Sequence, residues 1–227
     1  MPASCALLTC EREGLAGPAI AFASRHFDLR ICAQYPDPTS SGIPGELEEL
    51  AMSGQIEYLF SFLSPVVVPE LILNRVRMAV NFHPAPPRWP GIGAPCYALY
   101  HGDEFFGVTA HLMEPTVDTG TILRVDRFPV LCTDSQISLL ERAQYRALSL
   151  YYDVLAELAQ HESIEPSGDR WERTPLTRKQ FERWLTLSTT DTVEEVAAKI
   201  RSGTHPGLPG PILQFHGYRF AYMSDNP

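Results

Sequence analysis

The chain has 227 residues, enough for one medium domain or one domain with a small addition. Hydrophobic residues make up 44% and charged residues 20%, a balance that supplies a sizeable core and excludes wholesale disorder. The 18 Lys and Arg against 27 Asp and Glu give a formal charge of −9, which speaks against a surface built to grip nucleic-acid phosphates.

Cys5, Cys10, Cys32, Cys96 and Cys132 are odd in number and form no C-x-x-C pair, so neither a disulfide framework nor a zinc site is indicated. The apolar stretch 6–8 is too short, and lacks a preceding basic region, for a signal peptide. The most apolar segment, 58–73, is interrupted by Pro65, Pro69 and Glu70 and does not read as a membrane span. The expectation is a soluble, cytoplasmic protein with neither a membrane nor a nucleic-acid partner.

In chain order, 5–9 reads as a buried strand and 14–25 as a helix, with Leu15, Ile20 and Phe22 at helical spacing. Strand character returns over 27–34, followed by a loop over 35–44 rich in Pro, Ser and Gly. A helix over 46–52, a strand over 56–63, a short helix over 69–74 and a strand over 78–83 come next. Strands alternating with helices point to an α/β protein with a parallel sheet covered on both faces. Ligands on such sheets sit at the carboxyl ends of strands, which directs attention to the chain just after Leu63 and around 81–83.

Beyond a proline-rich loop over 84–95, a helix is expected over 96–101 and strands over 106–113 and 121–130. A long helix over 135–160 carries Ile137, Leu140, Ala147, Leu148 and Leu155 at the spacing of one face. The polar stretch 162–174 reads as a linker. A helix over 178–185 follows, and Thr192 with Glu195 forms a capping box that opens a helix to about residue 202. Strands over 212–215 and 218–222 flank His216 and Gly217 as a hairpin. The expected division is a main domain over 1–161 and a small C-terminal unit of helices and hairpin over 162–227.

Three clusters carry chemistry. In Val80-Asn81-Phe82-His83-Pro84, residues i and i+2 of a strand face the same side, about 6.5–7 Å apart. Asn81 and His83 thus address one cleft while Phe82 enters the core, and an amide with an imidazole can donate to an oxygen gaining negative charge. By itself the pair also fits ordinary loop chemistry. Val117-Asp118-Thr119-Gly120 fits a turn, or a carboxylate that orients and charges a nearby histidine. In Thr109-Ala110-His111-Leu112-Met113, His111 shares a strand face with Thr109 and Met113 and fits a satisfied structural histidine as well.

Taken together, Asn81-Phe82-His83-Pro84, Gly107-Val108-Thr109-Ala110-His111 and Val117-Asp118-Thr119-Gly120 resemble, in that order, the formyltransferase family that uses 10-formyltetrahydrofolate. This family includes glycinamide ribonucleotide transformylase, methionyl-tRNA formyltransferase and the sugar N-formyltransferases. The run Phe60-Ser61-Phe62-Leu63-Ser64-Pro65 resembles its strand and loop before the catalytic strand. The resemblance covers 56–130 well and the remainder loosely. It implies a Rossmann-like core with a mixed, mostly parallel sheet flanked by helices, and a small C-terminal helix and hairpin addition.

The resemblance further implies that Asn81, His83 and Asp118 are catalytic, with His111 supporting them. A substrate amine would attack the formyl carbon of 10-formyltetrahydrofolate. Asn81 would donate to the oxygen, His83 held protonated by Asp118 would add charge, and Asp118 would help remove the amine proton. No metal is implied. Carried over by position, folate contacts fall at Phe62 and Leu63 and at Met113, Glu114 and Val117. Phe62 and Leu63 fit plain core packing equally.

Ala85 with Pro86 and Pro87 replaces the Ser-Leu-Leu-Pro that many members carry after the His-Pro. This variant resembles the subgroup that formylates amino sugars carried on nucleotides. Such a substrate needs a stacking surface and anion partners. Trp89, Tyr97 and Tyr100 are the aromatic candidates, and Arg88 and Arg12 the cationic ones. The C-terminal unit could finish the sugar pocket, form a homodimer contact, or simply pack Phe215, Tyr218, Phe220 and Tyr222 against the main domain. Two other readings stay open: the same cofactor with another amine, or a folate- or nucleotide-binding module without turnover.

Overall fold

In β1 (Ser4–Cys10), every position from Cys5 on is buried, which explains its unbroken apolar run: a central strand is covered on both faces. The computed structural model describes residues 1–11, 14–37, 39–205 and 210–223. β1 pairs in parallel with β2 (Asp28–Tyr35) on one side and β3 (Tyr58–Phe62) on the other. The intervening helices are α1 (Ala16–His26) and α2 (Gly45–Met52). α3 (Glu70–Leu73) then leads to β4 (Met78–His83), parallel to β3.

After β4 the direction changes. The chain runs through the proline-rich loop into α4 (Ala94–His101) and returns as β5 (Phe105–Leu112), antiparallel to β4. β6 (Ile122–Pro129) is antiparallel to β5, and the strand order is β2-β1-β3-β4-β5-β6. The sheet is therefore mixed and mostly parallel, in the Rossmann-like α/β class expected.

One face is covered by α1 and by α5 (Gln136–His161), whose N-terminus is closed by a Ser135–Ser138 capping box. The Tyr151 ring sits 4.9 Å from Phe82 and 5.2 Å from Phe62, and its hydroxyl donates to Ala19 O at 3.2 Å. The buried face of α5 keeps Ala147 and Leu155 of the expected one and is otherwise rotated from it. Leu139, Ala143, Gln144, Ala147, Leu150 and Tyr151 are buried, whereas Ile137, Leu140 and Leu148 are only half-buried. Small Ala143 and Ala147 bring the helix close to the sheet, and that approach selects the face.

On the opposite face, Leu8, Leu59 and Ala79 pack under Leu47, Ala51 and Ile72. Towards the ends of β3 and β4 this apolar face turns polar. Ser61 stands opposite Asn81, and Asn81 opposite His111, as direct cross-strand neighbours on three strands.

The segment 162–177 is not a linker. It is a strap bonded along its length: Ser167 N–H donates to Ile122 O (3.1 Å), Glu172 N–H to Pro87 O (3.1 Å) and Leu176 N–H to Pro90 O (2.9 Å). Polar composition concealed this because the partners are backbone groups. α6 (Arg178–Trp184) follows, then a two-residue strand, β7 (Thr186–Leu187), that the sequence pattern did not reveal. α7 (Val193–Gly203) opens with the expected Thr192–Glu195 box. β8 (Ile212–Phe215) and β9 (Tyr218–Ala221) form the expected hairpin, with β8 also parallel to β7. The hairpin aromatics Phe215, Tyr218, Phe220 and Tyr222 are exposed rather than packed on the main domain. No helix among the described residues is long and apolar enough to cross a membrane.

Candidate active site

The polar row formed by Ser61, Asn81 and His111 opens into a cavity of about 520 Å³. It lies where the strand pattern directed attention, at the carboxyl ends of β3 and β4. Four polar side chains meet on its inner wall. Asn81 and His83 come from β4, two residues apart. His111 comes from β5 because the antiparallel register sets it opposite Asn81. Asp118 comes from the turn between β5 and β6, at φ +48°, a left-handed conformation that Asp tolerates better than most residues.

Asp118 lies between the two imidazoles. Its Oδ2 is 3.4 Å from His83 Nδ1 and its Oδ1 is 3.2 Å from His111 Nε2. The Gly91 N–H donates to Oδ2 at 2.7 Å. Burial alone would raise the Asp118 carboxyl, but His83, His111 and the Gly91 N–H outweigh it and bring the pKa down to about 2. The carboxylate is thus an anion kept inside the protein by two histidines and an amide.

His83 does not aim a free nitrogen into the cavity. Its Nε2 donates to Trp89 O at 3.2 Å while Nδ1 faces Asp118, so neither ring nitrogen is left for a direct bond to a ligand. His111 Nδ1 donates to Leu112 O at 2.7 Å. His111 Nε2 then stands 3.1 Å from Asn81 Nδ2 and 3.2 Å from Asp118 Oδ1. It can accept from the amide or donate to the carboxylate, but one proton position cannot serve both. Asn81 has two amide hydrogens, so one remains for a ligand in either case.

Of the expected cofactor residues, Leu63, Met113, Glu114 and Val117 line the cavity. Leu63 follows β3 at φ +54°, a costly conformation for a bulky residue and one that is found at functional turns. Phe62 does not line it: its ring is core, packed on Phe82 and Tyr151, leaving only backbone to offer. Together with Val66, Val68 and Ile92, these residues give a slot whose size and apolar walls suit a flat bicyclic ring with amide partners. This is the fit a pterin requires.

The expected acceptor contacts fare differently. Trp89 is fully buried, stacked on Tyr97 (5.4 Å) and His101 (5.3 Å), with Nε1 donating to Asp103 Oδ2 at 2.6 Å. Arg173 lies over its ring at 4.0 Å, and Tyr97 is itself closed off by Phe181 and Trp184. Neither ring is a stacking surface for a base. Arg88 is spent on Asp103 at 3.2 Å and on the Trp89 ring. Arg12 lies outside the described residues.

Sequence reasoning missed the outer wall, Pro175 to Arg178, which the strap delivers. Gly91 makes that delivery feasible. At φ +84° it pairs with Leu176, whose backbone a side chain at Gly91 would strike. Arg178 is exposed at the cavity and makes no ion pair among the described residues.

With this geometry in view, the similarities to known proteins are coherent. Residues 58–155 match the family model described as "Formyl transferase". That segment holds β3 to β6, Asn81, His83, His111 and Asp118. The structure is similar to that of a sugar N-formyltransferase from Shewanella sp FDAARGOS_354, at 17% identity and TM-score 0.76, covering 96% of each chain. An N-formyltransferase from Helicobacter canadensis, solved with folinic acid and dTDP-3-aminofucose, is similar at 17% identity and TM-score 0.66, over 89% of this chain and 80% of that one. At such identities the likeness speaks for the fold. A methionyl-tRNA formyltransferase from Janthinobacterium sp. (strain Marseille) is 26% identical over 195 residues, 82% of this chain. The chain spans 59% of that curated relative's length.

Proposed function

From a chain whose residues 58–155 belong to the formyl transferase family, we propose an N-formyltransferase that moves the formyl group of 10-formyltetrahydrofolate to the amine of a nucleotide-linked amino sugar. The observation that carries the reading is one buried carboxylate, Asp118, held between His83 and His111 beside Asn81 at the wall of a cavity.

When bound, 10-formyltetrahydrofolate would supply the electrophilic formyl carbon. Leu63, Met113, Glu114 and Val117 would line its ring. Asn81 would donate its free amide hydrogen to the formyl oxygen. His83, charged by Asp118, would stabilise negative charge growing there. Asp118, directly or through a water, would accept the proton that the attacking amine sheds. Residues 1–161 would supply this chemistry, and 162–227 the acceptor side, with Arg178 as the anion partner in place of Arg88.

Support for an amino-sugar acceptor comes from the near full-length likeness to a sugar N-formyltransferase and from the net charge of −9, which suits a small acceptor better than a tRNA. The methionyl-tRNA formyltransferase match keeps a second reading in play, the same transfer onto an aminoacyl group. The test is tetrahydrofolate release by purified protein given 10-formyltetrahydrofolate and one amine at a time: nucleotide amino sugars, aminoacyl-tRNA and glycinamide ribonucleotide. Release with the sugars alone is expected. Release with another amine would replace the acceptor, and binding of folate without release from any amine would leave a binding module.

A further inference from the structure

Trp171 stands on the strap 162–177, which the sequence pattern treats as polar connection. Its Nε1 donates to Gly120 O at 2.8 Å, closing the turn that carries Asp118. Its ring meets both imidazoles of the site in edge-to-face fashion, at 5.1 Å and 85° to His111 and at 6.2 Å and 64° to His83. One side chain therefore touches both histidines that flank Asp118, and it comes from an element outside the catalytic strands.

This contact is anchored on both sides. Before it, Arg127 holds Asp169 at 2.6 Å. After it, Glu172 N–H donates to Pro87 O, Leu176 N–H donates to Pro90 O, and Ile92 N–H donates to Leu176 O, the last two at 2.9 Å. The strap cannot drift without pulling on the loop whose Gly91 N–H binds Asp118. The Asp118 side chain is 8% exposed, and burial of that kind strengthens the attraction between carboxylate and imidazoles.

We propose that Trp171 is a positioning residue: its ring fixes the planes of His83 and His111 on Asp118, so the C-terminal strap completes the site. The inference rests on the acyl-transfer reading for its effect on rate, and on geometry alone for its effect on the imidazoles. Edge-to-face packing supplies the orientation, and misplacement of reacting groups by about 1 Å can cost a hundredfold in rate.

The experiment compares Trp171→Leu, which removes the aromatic ring, with Trp171→Phe, which keeps a ring but loses the N–H bond to Gly120. Turnover, folate KM, melting temperature and the imidazole ring 15N resonances of His83 and His111, which follow proton position and hydrogen bonding rather than the ring current of a neighbour, are measured on each. Trp171→Leu is expected to lower kcat about 10- to 100-fold with folate KM within about threefold, and to move both imidazole resonance sets. Trp171→Phe is expected to keep the resonances and most of kcat, with both variants folded at the assay temperature. Unmoved resonances in Trp171→Leu would overturn the proposal. An equal loss in both variants would also overturn it, placing the effect in the Gly120 bond. If the parent protein transfers no formyl group, the functional reading fails, while the resonances still report whether Trp171 holds the imidazoles.

Discussion

The two walls of the cavity are built on opposite principles. The inner wall, Asn81, His83, His111 and Asp118, comes from strand ends and a tight turn, and its polar groups already satisfy one another. The outer wall, Pro175 to Arg178, is held by backbone bonds and presents an exposed cation with no ion-pair partner among the described residues. A wall whose charges are arranged in advance suits charge stabilisation during a reaction, because nothing must reorganise. A wall with unpaired groups suits selection among acceptors. Under the proposed function, the sheet would carry the chemistry, and the strap with the start of α6 would discriminate among acceptors.

The largest effect expected lies in neither wall but in the post that joins them. Trp89→Ala should destabilise the protein by about 3–5 kcal/mol, the usual cost of deleting a buried aromatic ring. Denaturant unfolding measures this. A change in acceptor KM with unaltered stability would return Trp89 to a ligand-facing role.

On the inner wall, Asp118→Asn should lower turnover on the order of 10²-fold or more while folate binding by calorimetry stays nearly the same. Asn accepts the φ of +48° found there, so the turn should survive. Wild-type turnover in this variant would remove Asp118 from the chemistry.

The same carboxylate makes a pH prediction. Its pKa is about 2 in the folded protein, below the 3.8 of an ordinary aspartate carboxyl. A depressed folded value gives stability that is fully present above the unfolded pKa and is lost as pH falls through the folded one. The contribution, on the order of 2 kcal/mol, should therefore fade between about pH 4 and pH 2. Comparing urea midpoints of the parent and Asp118→Asn across that window checks it: the gap should shift within the window and stay flat above it.

The smallest effect belongs to the outer wall. Arg178→Ala should raise acceptor KM about tenfold, the scale of one charge-assisted contact, with kcat and folate KM nearly unchanged. A loss in kcat instead would dissolve the division between the walls.

Much of this was legible in residues. Asn81 and His83 declare a shared face by their spacing in a strand, and Thr192 with Glu195 declares a capping box the structure uses. The His111 contact was harder. It depends on the antiparallel register of β5 against β4, which no local pattern encodes. Trp89 misled because an aromatic ring beside a catalytic strand looks the same whether it faces a ligand or a core. Asp103 and Arg173, distant in sequence, settle the matter. Trp171 was hidden by the strap, whose order comes from main-chain bonds that composition does not register, and the same strap brings Arg178 at the start of α6 to the cavity.

The central claim is that the buried trio around Asp118 drives transfer of a formyl group to an amine. Isotope-labelled 10-formyltetrahydrofolate and a nucleotide-linked amino sugar, followed by mass spectrometry of the sugar, test it most directly. The account predicts one labelled formamide formed per tetrahydrofolate released, and almost none with Asp118→Asn. Label recovered as free formate at the same rate with or without the amine would contradict it.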